Sequence, residues 1–215
     1  MTCCQCQGAE SVFSGWYVRR ELRRYRRSGP RPTTRILIDA LKAEGADGAT
    51  ILDIGGGIGA LHHGLLEAGA TRATEAEAAT AYLEAASDEA KRQGHAGRVD
   101  YRHGDFVSLA NELEPAEIVA LDRVICCYPD MDALVTLSVG KARRLYGLVY
   151  PRDVWWTKMG HRFLNFLLRL TGNPFRVFVH PTRSVDALVR GAGFRRLFQH
   201  DTMSWQVVVY GRETS

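Results

Sequence analysis

With 215 residues, 46% of them hydrophobic and 24% charged, the chain has the balance of a globular protein with room for a substantial core, and no apolar run reaches the ~18 residues that a membrane-spanning helix needs. The start, Met1-Thr2-Cys3-Cys4-Gln5-Cys6, lacks the charged and apolar stretches of a secretory leader, which points to a cytoplasmic protein. Cys3, Cys4 and Cys6 crowd together and Cys126 and Cys127 are adjacent, a poor disulfide framework and tighter than structural zinc spacing, so reduced thiols and no metal are expected.

One domain is predicted. It divides into a helical cap (1–46), a ligand-binding core (48–153), a lid insertion (154–181) and a C-terminal helix with a strand pair (182–215). The net charge of +4 is concentrated in the cap: eight arginines lie between Arg19 and Arg35 against a single acid, Glu21. Val18, Leu22 and Tyr25 recur at i, i+4, i+7, so these arginines surround one apolar helical stripe. A solvated face, an anionic substrate, an anionic membrane surface and nucleic acid all fit that pattern. Gly29-Pro30-Arg31-Pro32 breaks this helix, and Thr33 or Thr34 is expected to cap a second one through Leu41 that buries Ile36, Leu37, Ala40 and Leu41.

From residue 49 strands and helices alternate, which predicts a parallel α/β sheet. Strands are expected at 49–54, 73–78, 99–103, 118–127 and 145–150, with helices at 60–68, 79–93 and 131–144. The 73–78 strand is weak, since alternating alanine and glutamate have low β-propensity. Residues 155–181 interrupt the repeat with an aromatic-rich, partly helical connection. A helix at 184–193 and strands at 194–199 and 205–210, joined by a hairpin loop, close the chain. The predicted architecture is a Rossmann-like three-layer sandwich, with a mostly parallel seven-stranded sheet and one antiparallel terminal strand.

The sharpest motif is Asp53-Ile54-Gly55-Gly56-Gly57-Ile58-Gly59, at a strand-to-helix junction. Glycines at 55, 57 and 59 permit positive φ and close approach of backbone to a ligand. In open α/β sheets ligands lie beyond the carboxyl ends of the strands, where this turn falls. Gly55-x-Gly57-x-x-Ala60 also satisfies a dinucleotide fingerprint, with Glu77 about 20 residues on as the ribose acid of an NAD site. Three features favour a sulfonium nucleoside: Asp53 two residues before the first glycine, Asp105-Phe106 after the third strand, and the closing strand pair.

Over residues 48–212 the chain resembles the class I methyltransferases that use S-adenosylmethionine (SAM). The resemblance implies that Asp53, Gly55, Gly57 and Gly59 hold the methionine end of SAM and that Glu77 takes the ribose. It places Asp105, flanked by Phe106, at adenine. Glu75 is the alternative ribose acid should the register slip by two. Asp122, within the fourth strand, joins the cofactor-binding set. The segment Leu121-Asp122-Arg123-Val124-Ile125-Cys126-Cys127-Tyr128-Pro129-Asp130, with the upstream Ser28–Arg35 stretch, is similar to the magnesium-protoporphyrin O-methyltransferases, except that Cys127 stands where that family has histidine.

The resemblance implies methyl transfer to a small-molecule acceptor, a porphyrin-like or other flat carboxylate or hydroxyl compound, with S-adenosylhomocysteine released. Tyr128 and His180 are the candidate catalytic residues, as groups that orient or deprotonate an acceptor. Trp155, Trp156, Phe163, Phe166, Phe175 and Phe178 are candidates to line an apolar acceptor pocket, and Arg152, Arg162, Arg169 and Arg176 to meet its carboxylates. The rivals are an NAD-dependent oxidoreductase, an RNA methyltransferase guided by the arginine helix, and a catalytically silent SAM-binding protein. No Asn/Asp-Pro-Pro-Tyr/Phe motif of nucleic-acid amino-methylation occurs, which speaks against a nucleic-acid partner.

Overall fold

Three helices open the chain in the computed structural model, which describes residues 4–213 and side chains from residue 8 onward. They are α1 (Cys4–Val12), α2 (Gly15–Ser28) and α3 (Pro32–Ala43). The cysteine cluster at Cys3, Cys4 and Cys6, and with it the question of a zinc site, lies outside the described side chains. Gly29 ends α2 at a φ of 71° while its N–H bonds the Tyr25 carbonyl. Pro32 then starts α3 at its first position, where a missing N–H costs nothing. The helix is thereby capped at Arg31, and Thr33 and Thr34, expected as caps, are buried inside it.

The alternating region forms β1 (Thr50–Ile54), α4 (Ala60–Leu66), β2 (Arg72–Glu77), α5 (Thr80–Gln93), β3 (Val99–His103), α6 (Phe106–Leu109), β4 (Ala116–Asp122), α7 (Met131–Gly140) and β5 (Ala142–Pro151). It is followed by α8 (Trp155–Leu170), α9 (Thr182–Gly191), β6 (Phe194–Asp201) and β7 (Trp205–Arg212). The strand order is β3-β2-β1-β4-β5-β7-β6, with β7 antiparallel to both of its neighbours. This is the predicted Rossmann-like sandwich with a reversed strand. Residues of α3, α4 and α5 pack on one face against Ile51, Ile118 and Val209. On the other face α6, α7 and α9 pack against Leu52, Leu121 and Tyr146. α3 therefore belongs to a sheet layer rather than to the cap. Only α1 and α2 stand above the strand ends, pinned to α5 by Val18, by a Phe13–Tyr82 ring contact at 5.3 Å and by the Arg26–Glu89 ion pair at 2.8 Å.

The fourth strand is shorter than its apolar run predicts. It stops at Asp122 because Arg123 takes a φ of 64°, and Ile125–Cys127 curl into a single 3₁₀ turn. No helix among the described residues is long and apolar enough to cross a membrane.

Candidate active site

A cavity of about 560 Å³ opens at the carboxyl ends of β1, β2, β3 and β4, under the cap, a size usual for small-molecule sites. Its floor is the glycine loop. Gly55 has a φ of 65°, and a Cβ there would sit 2.5 Å from Val124 Cγ2, so both conformation and space demand glycine. Gly57, at a φ of 64°, turns its N–H toward Glu77 Oε2 at 3.3 Å. Gly59, in the left-handed region, precedes the first turn of α4.

The acids predicted from the motif reach the same cavity at different depths. Asp53 is fully buried beneath the loop; its Oδ2 lies 2.9 Å from His62 Nδ1, and its Oδ1 has no hydrogen-bond partner among the described residues. Glu75, paired in register with Asp53, is also fully buried, 3.8 Å from the same His62 nitrogen. Burial, together with the charges of Asp53 and Glu77, pushes the Glu75 carboxyl well above its ordinary value and favours its neutral form. Two residues on, at the strand's end, Glu77 lines the cavity. Its Oε1 accepts from Ala79 N–H at 2.8 Å, and although burial pushes this carboxyl up, the backbone donors of Ala79 and Gly57 pull it back. Glu77, not Glu75, is thus the β2 acid that faces the cavity.

Asp105 caps α6, accepting from Ser108 N–H at 3.3 Å and Ser108 Oγ at 2.9 Å through one oxygen, and from the Tyr128 hydroxyl at 2.6 Å through the other. Phe106 is buried beside it and lines the cavity. Asp122, at the end of β4, accepts from the Thr34 hydroxyl and lies 4.0 Å from Arg123 Nε. Burial raises the Asp122 carboxyl despite that arginine.

Of the two candidate catalytic residues, Tyr128 lines the cavity and His180 does not. His180 Nε2 bonds the Tyr128 carbonyl at 2.9 Å and its ring stacks on Phe178 at 5.8 Å, so it braces the segment that carries Tyr128. Of the six expected pocket aromatics only Phe175 lines the cavity, joined by Leu164, Val177 and Trp205. None of Arg152, Arg162, Arg169 and Arg176 reaches it; Arg152, for instance, pairs with Asp201 at 3.3 Å. The cavity arginines are instead Arg24, Arg31 and Arg123. Arg31 pairs with Glu21 at 2.9 Å, and Arg123 donates to Thr33 Oγ1 at 2.6 Å while lying over the Trp205 ring. The sequence marked Arg31 only as part of a basic run. His62, which meets Asp53, belongs to no motif; its signal in the sequence is the pair His62-His63 directly behind the glycine loop.

No model of a protein family matches the sequence, and no curated protein matches it. Solved structures match its fold. Magnesium protoporphyrin IX methyltransferase from Synechocystis PCC 6803, with SAM bound, superposes with a TM-score of 0.74 at 16% identity, over 97% of each chain. An O-methyltransferase family protein from Burkholderia thailandensis matches 84% of this chain and 56% of its own, with a TM-score of 0.65 at 16% identity. The cyclase SpnF matches 85% of this chain and 81% of its own, with a TM-score of 0.62 at 14% identity. The chain therefore has the Rossmann-like fold of these methyltransferases. Because a cyclase shares it, the reaction has to be argued from the site.

Proposed function

We propose that the chain is a SAM-dependent methyltransferase acting on a small, flat or lipophilic acceptor through a carboxylate or hydroxyl oxygen. One observation carries the reading: the glycine loop of β1, Glu77 of β2 and Asp105-Phe106 of β3 converge on a single cavity. The residues present fit the cofactor. Gly55, Gly56 and Gly57 give the cavity a floor of bare backbone, and Asp53 Oδ1 and Asp122 Oδ1 are buried acceptors without hydrogen-bond partners among the described residues. Glu77 takes the ribose hydroxyls, Asp105 and Phe106 hold adenine, and the loop with Asp53 and Asp122 holds the cationic methionine end. When bound, SAM supplies a methyl group already activated on a sulfonium. The chain's task is then to orient the acceptor oxygen and to exclude water.

The acceptor side follows from the other wall. Leu164, Phe175, Val177 and Trp205 offer an apolar surface, with Arg31 and Arg123 as cations for an anionic oxygen. A carboxylate is ionised at neutral pH and needs no general base. That suits a site whose Tyr128 hydroxyl is engaged with Asp105 and whose His180 ring bonds a carbonyl. Porphyrin carboxylates head the candidates, since the Synechocystis neighbour is a magnesium protoporphyrin IX methyltransferase. An NAD reading fares worse: Asp53 and Asp122 beside the loop would oppose a pyrophosphate, whereas Glu77 would take a ribose in either case. Isothermal titration with SAM is the test. Binding is expected in the micromolar range, and no heat up to millimolar SAM sinks the proposal; release of S-adenosylhomocysteine in the presence of porphyrin carboxylates, phenols or thiols then identifies the acceptor.

A further inference from the structure

α8 is built inside out. Its inward positions are largely polar: Thr157 is buried, His161 Nδ1 bonds the Thr157 carbonyl at 2.9 Å, and the Asn165 amide exchanges bonds of 2.8 and 2.9 Å with the backbone of Val177, while Leu164 reaches the cavity. Its outward positions are apolar. Trp155, Met159, Phe163, Phe166 and Leu170, spaced by three or four residues, are each more than half exposed. A soluble amphipathic helix turns such a stripe to the core, and an exposed contiguous apolar face marks an interaction surface.

Charge names the occupant. Lys158, Arg162 and Arg169 run along one flank of the stripe; α8 itself contains no acid, while Asp153 just before it pairs with Lys158. Arg162 and Arg169 have no ion-pair partner among the described residues. The loop that follows α8 meets the cap: Phe13 meets Phe175 edge-on at 5.6 Å and Asn173 reaches Ser11 at 3.2 Å. α2 there presents exposed Arg19, Arg20, Arg23 and Arg27, while its single acid, Glu21, is engaged by Arg31 and Tyr82. A second copy of the chain would bring cations against cations. An aromatic face with cations beside it, on a helix that cannot span, fits the interface of a bilayer with anionic headgroups.

We infer that α8 is a peripheral docking helix for anionic phospholipid membranes, lying in the interface with its aromatic stripe among the acyl chains. The inference stands whatever the cavity binds. The full chain is floated with phosphatidylcholine vesicles and with phosphatidylcholine–phosphatidylglycerol vesicles. It is expected to rise with the second kind and to be released by salt. The double substitution Phe163→Ser, Phe166→Ser, at exposed positions outside the cavity, abolishes flotation and leaves the melting temperature unchanged. Arg162→Gln with Arg169→Gln weakens partitioning roughly 25-fold, since each cation near such a surface is worth about fivefold. Failure to float with either vesicle, or equal flotation of the serine variant, overturns the inference. So does a dimer in solution that the serine variant dissociates while no flotation is seen, which would assign the stripe to a second copy.

Discussion

The Tyr128 hydroxyl donates to Asp105 at 2.6 Å, while the Tyr128 carbonyl receives the His180 Nε2 proton at 2.9 Å. A carbonyl only accepts, so His180 carries its proton on Nε2, and burial lowers its pKa further from the range in which it would charge. Both side chains thus support an acid at the third strand rather than stand free to move protons. Under the methyltransferase reading, the expectation that they orient or deprotonate the acceptor is replaced by a proposal that they position Asp105. Tyr128→Phe separates the two roles. With positioning, KM for SAM rises several-fold, as for one lost hydrogen bond of about 1 kcal/mol, and kcat changes little. Were Tyr128 a general base, kcat would instead fall by about 10²–10⁴ with KM nearly constant.

At the scale of elements, β2 explains both what the sequence disclosed and what it hid. Its residues alternate faces, so Glu75 and Glu77 point the same way and periodicity cannot choose between them. Only the parallel register, Asp53 against Glu75, sets Glu75 under the loop and Glu77 at the rim. β4 went astray for a related reason: Val124, Ile125 and Cys126 continue an apolar run, and hydrophobicity alone does not reveal the left-handed turn at Arg123. For α8, composition marked the aromatics as pocket lining but could not show that Trp155, Trp156, Phe163 and Phe166 point outward. The Glu75 burial has a thermodynamic signature. Its folded pKa lies above the ordinary 4.5, so above that pH the unfolded chain holds fewer protons and stability falls as pH rises. His63 works oppositely: burial drops it from 6.5 to about 3, so stability falls as pH decreases through that window. Glu75→Gln should therefore melt higher than the parent at neutral pH, with the gap closing toward pH 4.5. A gap that does not vary with pH would show that Glu75 is not held neutral.

For the whole molecule, the alternation of strands and helices and the glycine loop were readable because they rest on local signals: a turn that needs glycine, acids at strand ends, and helices between strands. The cavity's outer wall was not, because it is assembled from segments far apart in the chain. Arg31 from the start of α3, Leu164 from α8 and Trp205 from β7 meet only through the fold. At this same scale, the proposed ligand choice rests on the sum of charges around the loop. Glu21, Asp53, Glu77, Asp105 and Asp122 surround the cavity against Arg24, Arg31 and Arg123. A ligand with a sulfonium and an ammonium gains from that balance, whereas a dinucleotide brings two phosphates into it. Thermal shift compares the two directly: a ligand at ~100 times its Kd stabilises the folded state by about 2.7 kcal/mol, which for a chain of this size raises Tm by roughly 5–10 °C. SAM should produce that rise and NADH at equal concentration none. A larger shift with NADH would mean that the carboxylates around the loop do not govern which nucleoside enters.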